Sequence, residues 1–393
     1  MTFSAFCARC RKKVKKAERI IRYFDMFAGV GGFRAGLDLA GGFQCIGHCE
    51  IDKYADASYR AIHAPGKEEV YYPDARTIDP KELPDFDLLC GGFPCQAFST
   101  AGRRKGFEDA RGTLFFELAR VVKEKRPLYL FLENVPGLLS HDRGRTFGVI
   151  LSALYDLGYH VEWTVLNSKH FGVPQSRRRL FLIGYLDPRC AGKILPVFGA
   201  DAKALVQIVH GRLGKRVYDS AGIACTQDTS RQSGLYFVDL TKGDPKITAN
   251  ARCLHTRQDG SLTNFKGQNS GVLYIKEATK KGYKEAHEGD SIDLGFAGSN
   301  TRRGRVFAGV AHTVDTANTH GIVLRGGRVR RLMPRECFRL QGFNEDQIDK
   351  ILAINSDAQA YKQAGNSVTV TVIEAIGRRI RAADAELYAQ ESR

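Results

Sequence analysis

The sequence predicts an α/β fold, with a mostly parallel sheet covered by helices on both faces and a smaller, loop-rich, β-containing domain inserted into it. Short, continuous apolar runs alternate with helical patterns over residues 20–185, which is typical of buried parallel strands. Residues 186–328 instead contain few helical patterns and many Gly, Thr, Ser and Asn residues. At 393 residues, the chain is long enough for two domains.

The elements follow from these runs in chain order. Strands are predicted at residues 20–25, 43–47, 86–90, 128–132, 161–166 and 179–185, and helices at 33–39, 114–122 and 146–157. Ligands of such sheets bind beyond the carboxyl ends of the strands. We therefore expect Asp25, Glu50, Glu133 and the loop around Cys95, which follow strands, to lie together at one edge.

The positive charge is concentrated in two segments. The chain has 59 Lys and Arg against 43 Asp and Glu, a formal net charge of +16. Residues 1–22 hold 8 basic residues and 1 acid, and residues 186–330 hold 22 and 13, whereas the rest is balanced. We divide the chain into an arm (1–22), a first half (23–185), an insert (186–328) and a returning segment (329–393). The arm and the insert are the expected contacts for nucleic acid.

Several classes of protein are disfavoured by composition. No apolar stretch reaches the length of a membrane span, and the amino-terminal residues lack the apolar region of a signal peptide. Ten cysteines without such a signal indicate free thiols in a reducing compartment, so we predict a cytoplasmic protein. Cys7 and Cys10 supply half of a zinc site, and no pattern pairs them with Cys45, His48 or Cys49, so no metal is predicted.

A glycine-rich turn within residues 29–32 predicts a cofactor site, because it follows a strand and opens a helix. Glu50 lies 18 residues after Gly32, a spacing that suits an acid on the two hydroxyls of a ribose. Phe27 and Asp25 crowd this turn with a ring and a negative charge, which disfavours a pyrophosphate. The pattern favours a cationic nucleoside without phosphates, such as S-adenosylmethionine, although core packing of Phe27 is an alternative.

A second group of residues predicts covalent chemistry. Cys95 follows Pro94 on a glycine-flanked loop with basic residues at 103–105, a setting that suits an exposed thiolate nucleophile. Glu133 closes the next strand and could act as an acid if its surroundings are apolar. Cations at 177–179 precede a later strand.

Five motifs occur in a fixed order: Phe27-x-Gly29-x-Gly31, Pro94-Cys95-Gln96, Glu133-Asn134-Val135, Gln175-x-Arg177-x-Arg179 and Gly365-Asn366-Ser367-Val368. In this set, over residues 20–186 and 328–380, the chain resembles bacterial- and phage-type DNA (cytosine-5)-methyltransferases, above all the small single-chain enzymes of restriction–modification systems. The resemblance implies the Rossmann-like fold of S-adenosylmethionine-dependent methyltransferases. It also implies that the insert is the target-recognition domain.

The resemblance assigns roles to individual residues. Cys95 would be the nucleophile, Glu133 would face the pyrimidine edge, and Arg177 and Arg179 would anchor the flipped base and its backbone. The predicted cofactor-binding residues are Asp25, Phe27, Gly29, Val30, Gly32, Glu50, Ile51, Asp74, Pro94, Leu114, Asn366 and Ser367. The predicted DNA-binding residues are Gln96, Ser99, Arg103, Arg104, Lys105, Arg252, Arg257, Lys266, Arg302 and Arg303.

Three alternatives remain at this point. An RNA (tRNA) cytosine-5 methyltransferase of the same family has the same motifs, and a catalytically idle DNA-binding protein could keep the fold. A nicotinamide oxidoreductase is disfavoured by the acidic first turn. The expected partner is double-stranded DNA, with a restriction endonuclease acting on the same site without a stable complex. We expect a monomer.

Overall fold

The computed structural model describes residues 19–94, 114–195 and 329–391 of the chain. Within the insert it describes residue 197, five short strands between 207 and 248, and residues 273–279, 282–295, 303–317 and 319–324. In this part of the chain, no helix is long and apolar enough to cross a membrane.

The central feature is a seven-stranded sheet. Its strands are β1 (Ile21–Met26), β2 (Phe43–Cys49), β3 (Val70–Tyr72), β4 (Leu88–Gly92), β5 (Tyr129–Asn134), β6 (His160–Asn167) and β7 (Arg178–Tyr185). Their order is β3-β2-β1-β4-β5-β7-β6. The pairs among β1 to β5 are parallel, whereas β7 runs antiparallel to both β5 and β6. The predicted mostly parallel sheet is therefore confirmed, and β3 is an additional strand at its edge.

Eight α-helices lie within the described residues. They are α1 (Gly32–Ala40), α2 (Lys53–His63), α3 (Leu114–Lys125), α4 (Arg145–Asp156), α5 (Pro334–Leu340), α6 (Glu345–Ile354), α7 (Asp357–Asn366) and α8 (Val370–Glu391). The predicted helices at 33–39, 114–122 and 146–157 correspond to α1, α3 and α4. Asp52 begins α2 by accepting a hydrogen bond from the Tyr54 amide, as an N-terminal cap does.

Helices cover both faces of the sheet, as predicted. On one face, Leu130 and Leu132 of β5 are buried in a cluster with Phe115 of α3 and Ile150 of α4. On the other face, Phe131 of β5 packs edge to face against Phe33 of α1, with ring centroids 5.0 Å apart. Alternate β5 residues point to opposite faces because side chains alternate along a strand. The strand is therefore buried on both sides, which explains its continuous apolar run.

The segment after the insert completes the second face. Ile373, Ile376 and Ile380 of α8 are fully buried in the same cluster as Phe33 and Leu37 of α1. A β-carbon on Gly36 would lie 2.5 Å from the β-carbon of Ile373, so α1 and α8 approach closely where α1 has no side chain.

The sheet begins two residues before the predicted start of the first half at residue 23. β1 starts at Ile21, and Arg19 already forms ion pairs with Asp87 and Asp384. The predicted boundary between residues 22 and 23 therefore falls inside β1.

The insert is described as short strands. These are β8 (Gln207–Val209), β9 (Val217–Tyr218), β10 (Gly234–Leu235), β11 (Phe237–Asp239), β12 (Lys246–Thr248), β13 (Leu273–Lys276), β14 (Tyr283–Ala286), β15 (Ser291–Asp293), β16 (Val306–Phe307) and β17 (His320–Val323). The returning segment begins with β18 (Val329–Arg331), which pairs with β17. A small apolar cluster includes Ile275, Ile292 and Val306. These strands agree with the β-containing character predicted for the insert.

Candidate active site

The candidate site lies at the edge of the sheet where the parallel strands end. β1, β2, β4 and β5 present their carboxyl ends there. Because β7 is antiparallel to β5, it presents its amino end at the same edge, with Asn134 opposite Leu180 and Glu133 opposite Phe181. This reversal brings Arg177 and Arg179 next to Glu133, although 44 residues separate Glu133 from Arg177 in the chain.

Glu133 is a buried carboxyl that is paired with Arg179. The residue is 9% exposed, and its Oε1 lies 2.9 Å from Nε of Arg179. Burial raises the pKa of Glu133 above its ordinary value, while the positive charges of Arg179 and Arg177 act in the opposite direction. Arg179 therefore holds the carboxyl in place, and burial favours its protonated form to a higher pH than in a solvated glutamate. Its role as an acid stays a prediction.

Asn134 fixes the start of the loop that leads to Cys95. Its Nδ2 donates a 2.8 Å hydrogen bond to the carbonyl of Phe93, and its Oδ1 accepts one from the amide of Val135. A β-carbon on Gly92 would lie 3.0 Å from Oε2 of Glu133, so glycine leaves room for the carboxyl. Pro94 is exposed at the end of this described stretch, and Cys95 lies outside the described residues.

Arg177 does not have the exposed position that a base-anchoring residue requires. It is 2% exposed, and its guanidinium donates to the main-chain carbonyls of Val314, Gly365 and Ser367 at 3.0, 2.9 and 2.7 Å. The prediction that it contacts the flipped base is therefore corrected: its donors are directed at protein carbonyls. Arg179, whose side chain is 17% exposed, keeps its place beside Glu133.

The glycine-rich turn adopts the left-handed backbone conformations that a close approach to a ligand requires. Gly29 and Gly31 have φ values of 56° and 82°, and even Phe27 has a φ of 60°. The Gly29 amide donates a 2.7 Å hydrogen bond to Oε2 of Glu50, while the Asp52 amide donates at 2.7 Å to Oε1. Burial raises the pKa of Glu50, and these two amides oppose that rise.

The returning segment closes against this turn. A β-carbon on Gly32 would lie 2.8 Å from Oγ of Ser367 and 2.8 Å from Cγ2 of Val368. Ser367 is buried, whereas the adjacent Asn366 is exposed. The structure thus brings the first and last predicted motifs together across more than 330 residues of chain.

Two predicted cofactor contacts are buried below the site. Asp25 is fully buried, and its Oδ1 lies 3.7 Å from Sγ of Cys90. Burial raises the pKa of Asp25 to about 7. Val30 is 2% exposed and packs in the cluster formed by the helices after the insert. We therefore correct both predictions, since these side chains support the turn from beneath and do not face an open surface.

The remaining exposed groups fit a nucleoside. Ile51, next to Glu50, is 69% exposed, and Phe27 is partly buried against the core. Asp74 is half-buried and paired with Arg76, which holds its pKa below the ordinary value. A purine ring requires apolar surface, and the hydroxyls of a ribose require a carboxylate; both are present at these strand ends. The residues present therefore fit S-adenosylmethionine.

Comparison with known proteins decides the family. The model of the C-5 cytosine-specific DNA methylase family matches residues 21–382. The chain belongs to this family. As a DNA (cytosine-5-)-methyltransferase, it is similar to several modification enzymes that have been characterised in bacteria and phages.

Three relatives illustrate this similarity. The orphan methyltransferase M.SPRI of Bacillus phage SPR is 32% identical, over 92% of this chain and 97% of the relative. The type II methyltransferase M.HhaI of Haemophilus parahaemolyticus is 32% identical, over 92% of this chain and 94% of the relative. The type II methyltransferase M.HpaII of Haemophilus parainfluenzae is 34% identical, over 93% and 90%. The chain is thus a DNA methyltransferase of restriction–modification type.

Solved structures share the fold. The Dnmt2 methyltransferase of S. pombe superposes with a TM-score of 0.51 at 15% identity, over 94% of this chain and 99% of the other. A protein described as a prophage DNA modification methyltransferase from E. coli superposes with a TM-score of 0.52 at 19% identity, over 92% of this chain and 99% of the other.

Most of the predicted DNA contacts of this methyltransferase lie outside the described residues, as does the predicted nucleophile. The positions are Cys95, Gln96, Ser99, Arg103, Arg104, Lys105, Arg252, Arg257, Lys266 and Arg302. Leu114 is half-buried at the first residue of α3, and Arg303 is half-buried in the insert. Their roles stay predictions.

Sequence reasoning missed a buried amide network near Arg177 of the candidate site. Gln175 is fully buried, donates from Nε2 to the Leu340 carbonyl at 2.7 Å, and accepts at Oε1 from the Val314 amide at 2.9 Å. Gln341, also fully buried, donates to the Ala364 carbonyl and accepts from Thr369. Gln175 belongs to a quoted motif and could have been found there, whereas Gln341 carries no such signal.

Proposed function

We propose that this enzyme transfers a methyl group to C5 of a cytosine flipped out of a specific double-stranded DNA sequence, through a bond between Sγ of Cys95 and C6. It would serve as the modification half of a restriction–modification system, or as an orphan phage equivalent. The observation that supports this best is the buried Glu133 carboxyl, held by Arg179 beside the Phe93–Pro94 stretch that leads to Cys95.

The chemistry of cytosine dictates what the residues must do. C5 is a weak nucleophile, and addition of the Cys95 thiolate to C6 converts the ring into an enamine that is nucleophilic at C5. Bound S-adenosylmethionine supplies the methyl group. Transfer of the C5 proton to a water molecule then re-forms the C5–C6 double bond and expels the Cys95 thiolate, so that the nucleophile is regenerated.

Glu133 is suited to stabilise the cysteine adduct. Addition at C6 places electron density on N3, which a protonated carboxyl can neutralise by donating a proton or a hydrogen bond. Burial favours the protonated form of Glu133, while Arg179 limits the rise in pKa and fixes the orientation of the carboxyl. A positioned acid of this kind contributes a factor of about 10² to 10⁴ in rate.

The cofactor pocket would use the groups that face it. Glu50 would bind the ribose hydroxyls through the lone pairs left beside its two amide hydrogen bonds, and Phe27 and Ile51 would cover the purine. Gly29, Gly32, Asn366 and Ser367 would line the pocket through their main chains and short side chains.

The DNA must be distorted for this chemistry, because C5 and C6 are not reachable within the stack. Flipping costs a few kcal/mol. The basic insert and the basic residues after Cys95 would offset this cost through phosphate contacts. With about six to ten such contacts, binding would weaken steeply as the salt concentration rises.

Bisulfite sequencing of plasmid DNA from cells that express the chain tests the function directly. Protected cytosines at one recurring sequence are expected, and they would also give the recognition site. The matched control is Cys95→Ala, which should abolish protection while purified protein still binds the duplex. Normal methylation by Cys95→Ala would remove the assigned nucleophile, and a tRNA methylated better than duplex DNA would make RNA the substrate.

A further inference from the structure

Arg177 holds a buried cation against three protein carbonyls. Nη1 donates to Val314, and Nη2 donates to both Gly365 and Ser367, at distances between 2.7 and 3.0 Å. Its Nε is buried without a hydrogen-bond partner among the described residues. A guanidinium is rigid and always presents its donors in one plane, so these carbonyls must keep a fixed mutual arrangement to remain satisfied.

One of the three carbonyls belongs to the insert, which is proposed to bind DNA, and the other two belong to the segment that packs against the cofactor turn. Val314 lies in the last part of the insert. Gly365 and Ser367 lie in the motif that closes against Gly32 of the cofactor turn. Arg177 itself is two residues from Arg179, which holds Glu133. One side chain at the amino end of β7 therefore joins the insert to the segment that packs against the cofactor turn.

These segments also touch directly, so movement in one must reach the other. A β-carbon on Gly365 would lie 2.6 Å from the carbonyl carbon of Asp315 and 2.6 Å from the amide of Thr316. Thr313 donates from Oγ1 to the Ser176 carbonyl at 2.9 Å. The end of the insert is thus also bonded to Ser176, the residue before Arg177, and it packs against the Gly365–Ser367 segment at Gly365, which has no side chain.

We call the contact of insert residues 313–316 with Arg177 and the Gly365–Ser367 segment the junction. Because the guanidinium is buried there, the junction is sensitive to any displacement of the insert. A cation removed from water is stable only while dipoles of the protein replace its hydration, and each lost carbonyl leaves a charged donor unsatisfied. A shift of the insert that pulled Val314 away from Nη1 would therefore favour movement of Gly365 and Ser367 as well. Coupling between two sites requires a structural element of this kind, whose arrangement both ligands can bias.

We propose that Arg177 is a positioning residue that couples binding of DNA by the insert to closure of the cofactor pocket by the Gly365–Ser367 segment. The inference rests on the proposed function. It predicts that the two ligands bind cooperatively and that this cooperativity depends on the guanidinium.

The experiment measures the dissociation constant of S-adenosylhomocysteine by calorimetry, alone and with a saturating duplex that contains the site found by bisulfite sequencing. For wild-type protein we expect the duplex to tighten binding by a factor of about 5 to 150, the usual range for coupled sites. Arg177→Lys keeps the positive charge but loses the planar set of guanidinium donors. In this variant the duplex should change the dissociation constant by a factor of only about 1. An unchanged factor in Arg177→Lys, or a wild-type factor of 1, would overturn the inference.

Two further variants separate coupling from general instability. Ile150→Ala removes a fully buried side chain on the opposite face of the sheet and should lower the melting temperature while keeping the wild-type factor. If the duplex also fails to tighten S-adenosylhomocysteine binding in Ile150→Ala, the loss of cooperativity is an effect of lowered stability and the proposal is refuted. If Arg177→Lys does not fold, Thr313→Val loosens the same junction, and a wild-type factor in that variant contradicts the inference.

The two proposals fail in different ways. Wild-type protein that binds S-adenosylhomocysteine but methylates no DNA would refute the proposed function. Wild-type protein that methylates DNA without cooperative binding would refute only the role of Arg177.

Discussion

Replacing Glu50 with glutamine should separate cofactor affinity from stability. The carboxylate of Glu50 accepts two main-chain hydrogen bonds, from Gly29 at Oε2 and from Asp52 at Oε1. A glutamine amide has one oxygen, and its NH₂ group would oppose one of the two amide donors. At best, Glu50→Gln keeps one of these bonds and sets a donor against a donor at the other.

The size of the effect follows from these bonds. A hydrogen bond to a charged group contributes about 1.5 to 3 kcal/mol. Loss of one such bond, at roughly 2 kcal/mol, corresponds to about 30-fold weaker binding if the cofactor requires the ordered turn. Folding should suffer little, since burial raises the pKa of Glu50 and its charged form opposes folding at pH values above that pKa. A neutral amide removes that cost.

Calorimetric titration with S-adenosylhomocysteine, together with thermal unfolding, measures both quantities. The matched control is Glu162→Gln, because Glu162 is a half-buried glutamate of β6 that accepts from the amides of Gly192 and Leu195 at 2.6 and 3.3 Å. It stands on an edge strand, five positions across the sheet from β2. An unchanged dissociation constant in Glu50→Gln, or an equal loss of affinity in Glu162→Gln, would refute the reasoning.

Glu133, Asp25 and Gly365 offer three further tests. Because burial raises the pKa of Glu133, the single-turnover methylation rate of the wild type should fall as pH rises through that pKa. Glu133→Gln should lose this pH dependence and should be slower by a factor of about 10² to 10⁴. Burial raises the pKa of Asp25 from 3.8 to about 7, so the free energy of unfolding of the wild type should decline relative to that of Asp25→Asn as pH rises from about 4 to about 7. Urea unfolding at about pH 4, pH 7 and pH 9 would show the advantage of the variant growing up to about pH 7 and staying constant above it. Gly365→Ala should lower the free energy of unfolding by about 1 to 3 kcal/mol, since its β-carbon would meet main-chain atoms of Asp315 and Thr316 that cannot rotate away; wild-type thermal stability would contradict this close approach of the two segments.

The central strands were predictable because their physical cause is local. A strand buried on both faces needs an unbroken apolar run, and β5 shows one. Helix α2 was not predicted, since its buried face includes Ser58 and a tyrosine and gives a weak apolar pattern. β3 has three half-buried residues at the sheet edge, too few for a pattern to emerge.

The direction of β7 and the role of Arg177 could not be obtained in the same way. An apolar run has the same appearance whether its strand is parallel or antiparallel to its neighbours, and the reversal of β7 is what delivers Arg179 to Glu133. Sequence reasoning assigns cations to surfaces and ligands. That Arg177 is buried against carbonyls of residues 314, 365 and 367 depends on chain segments more than 130 residues away.

The same kind of burial misled the interpretation of Asp25. The position of an acid after a strand is informative, but whether its carboxyl faces the ligand or the helix side of the sheet depends on the alternation of side chains and on what covers them. Glu50 emerges half-buried at the end of β2, and Asp25 remains fully buried within β1.

The close packing of α1 against α8 has a consequence for synthesis. α1 emerges early from the ribosome, yet the helix that covers Phe33 and Leu37 is made more than 330 residues later. At about 5 to 20 residues per second, the apolar face of α1 waits roughly 15 to 70 s for its partner. During that interval the nascent enzyme exposes the apolar face of α1. We therefore expect chaperones to bind the growing chain, and we expect deletion of α8 to reduce solubility.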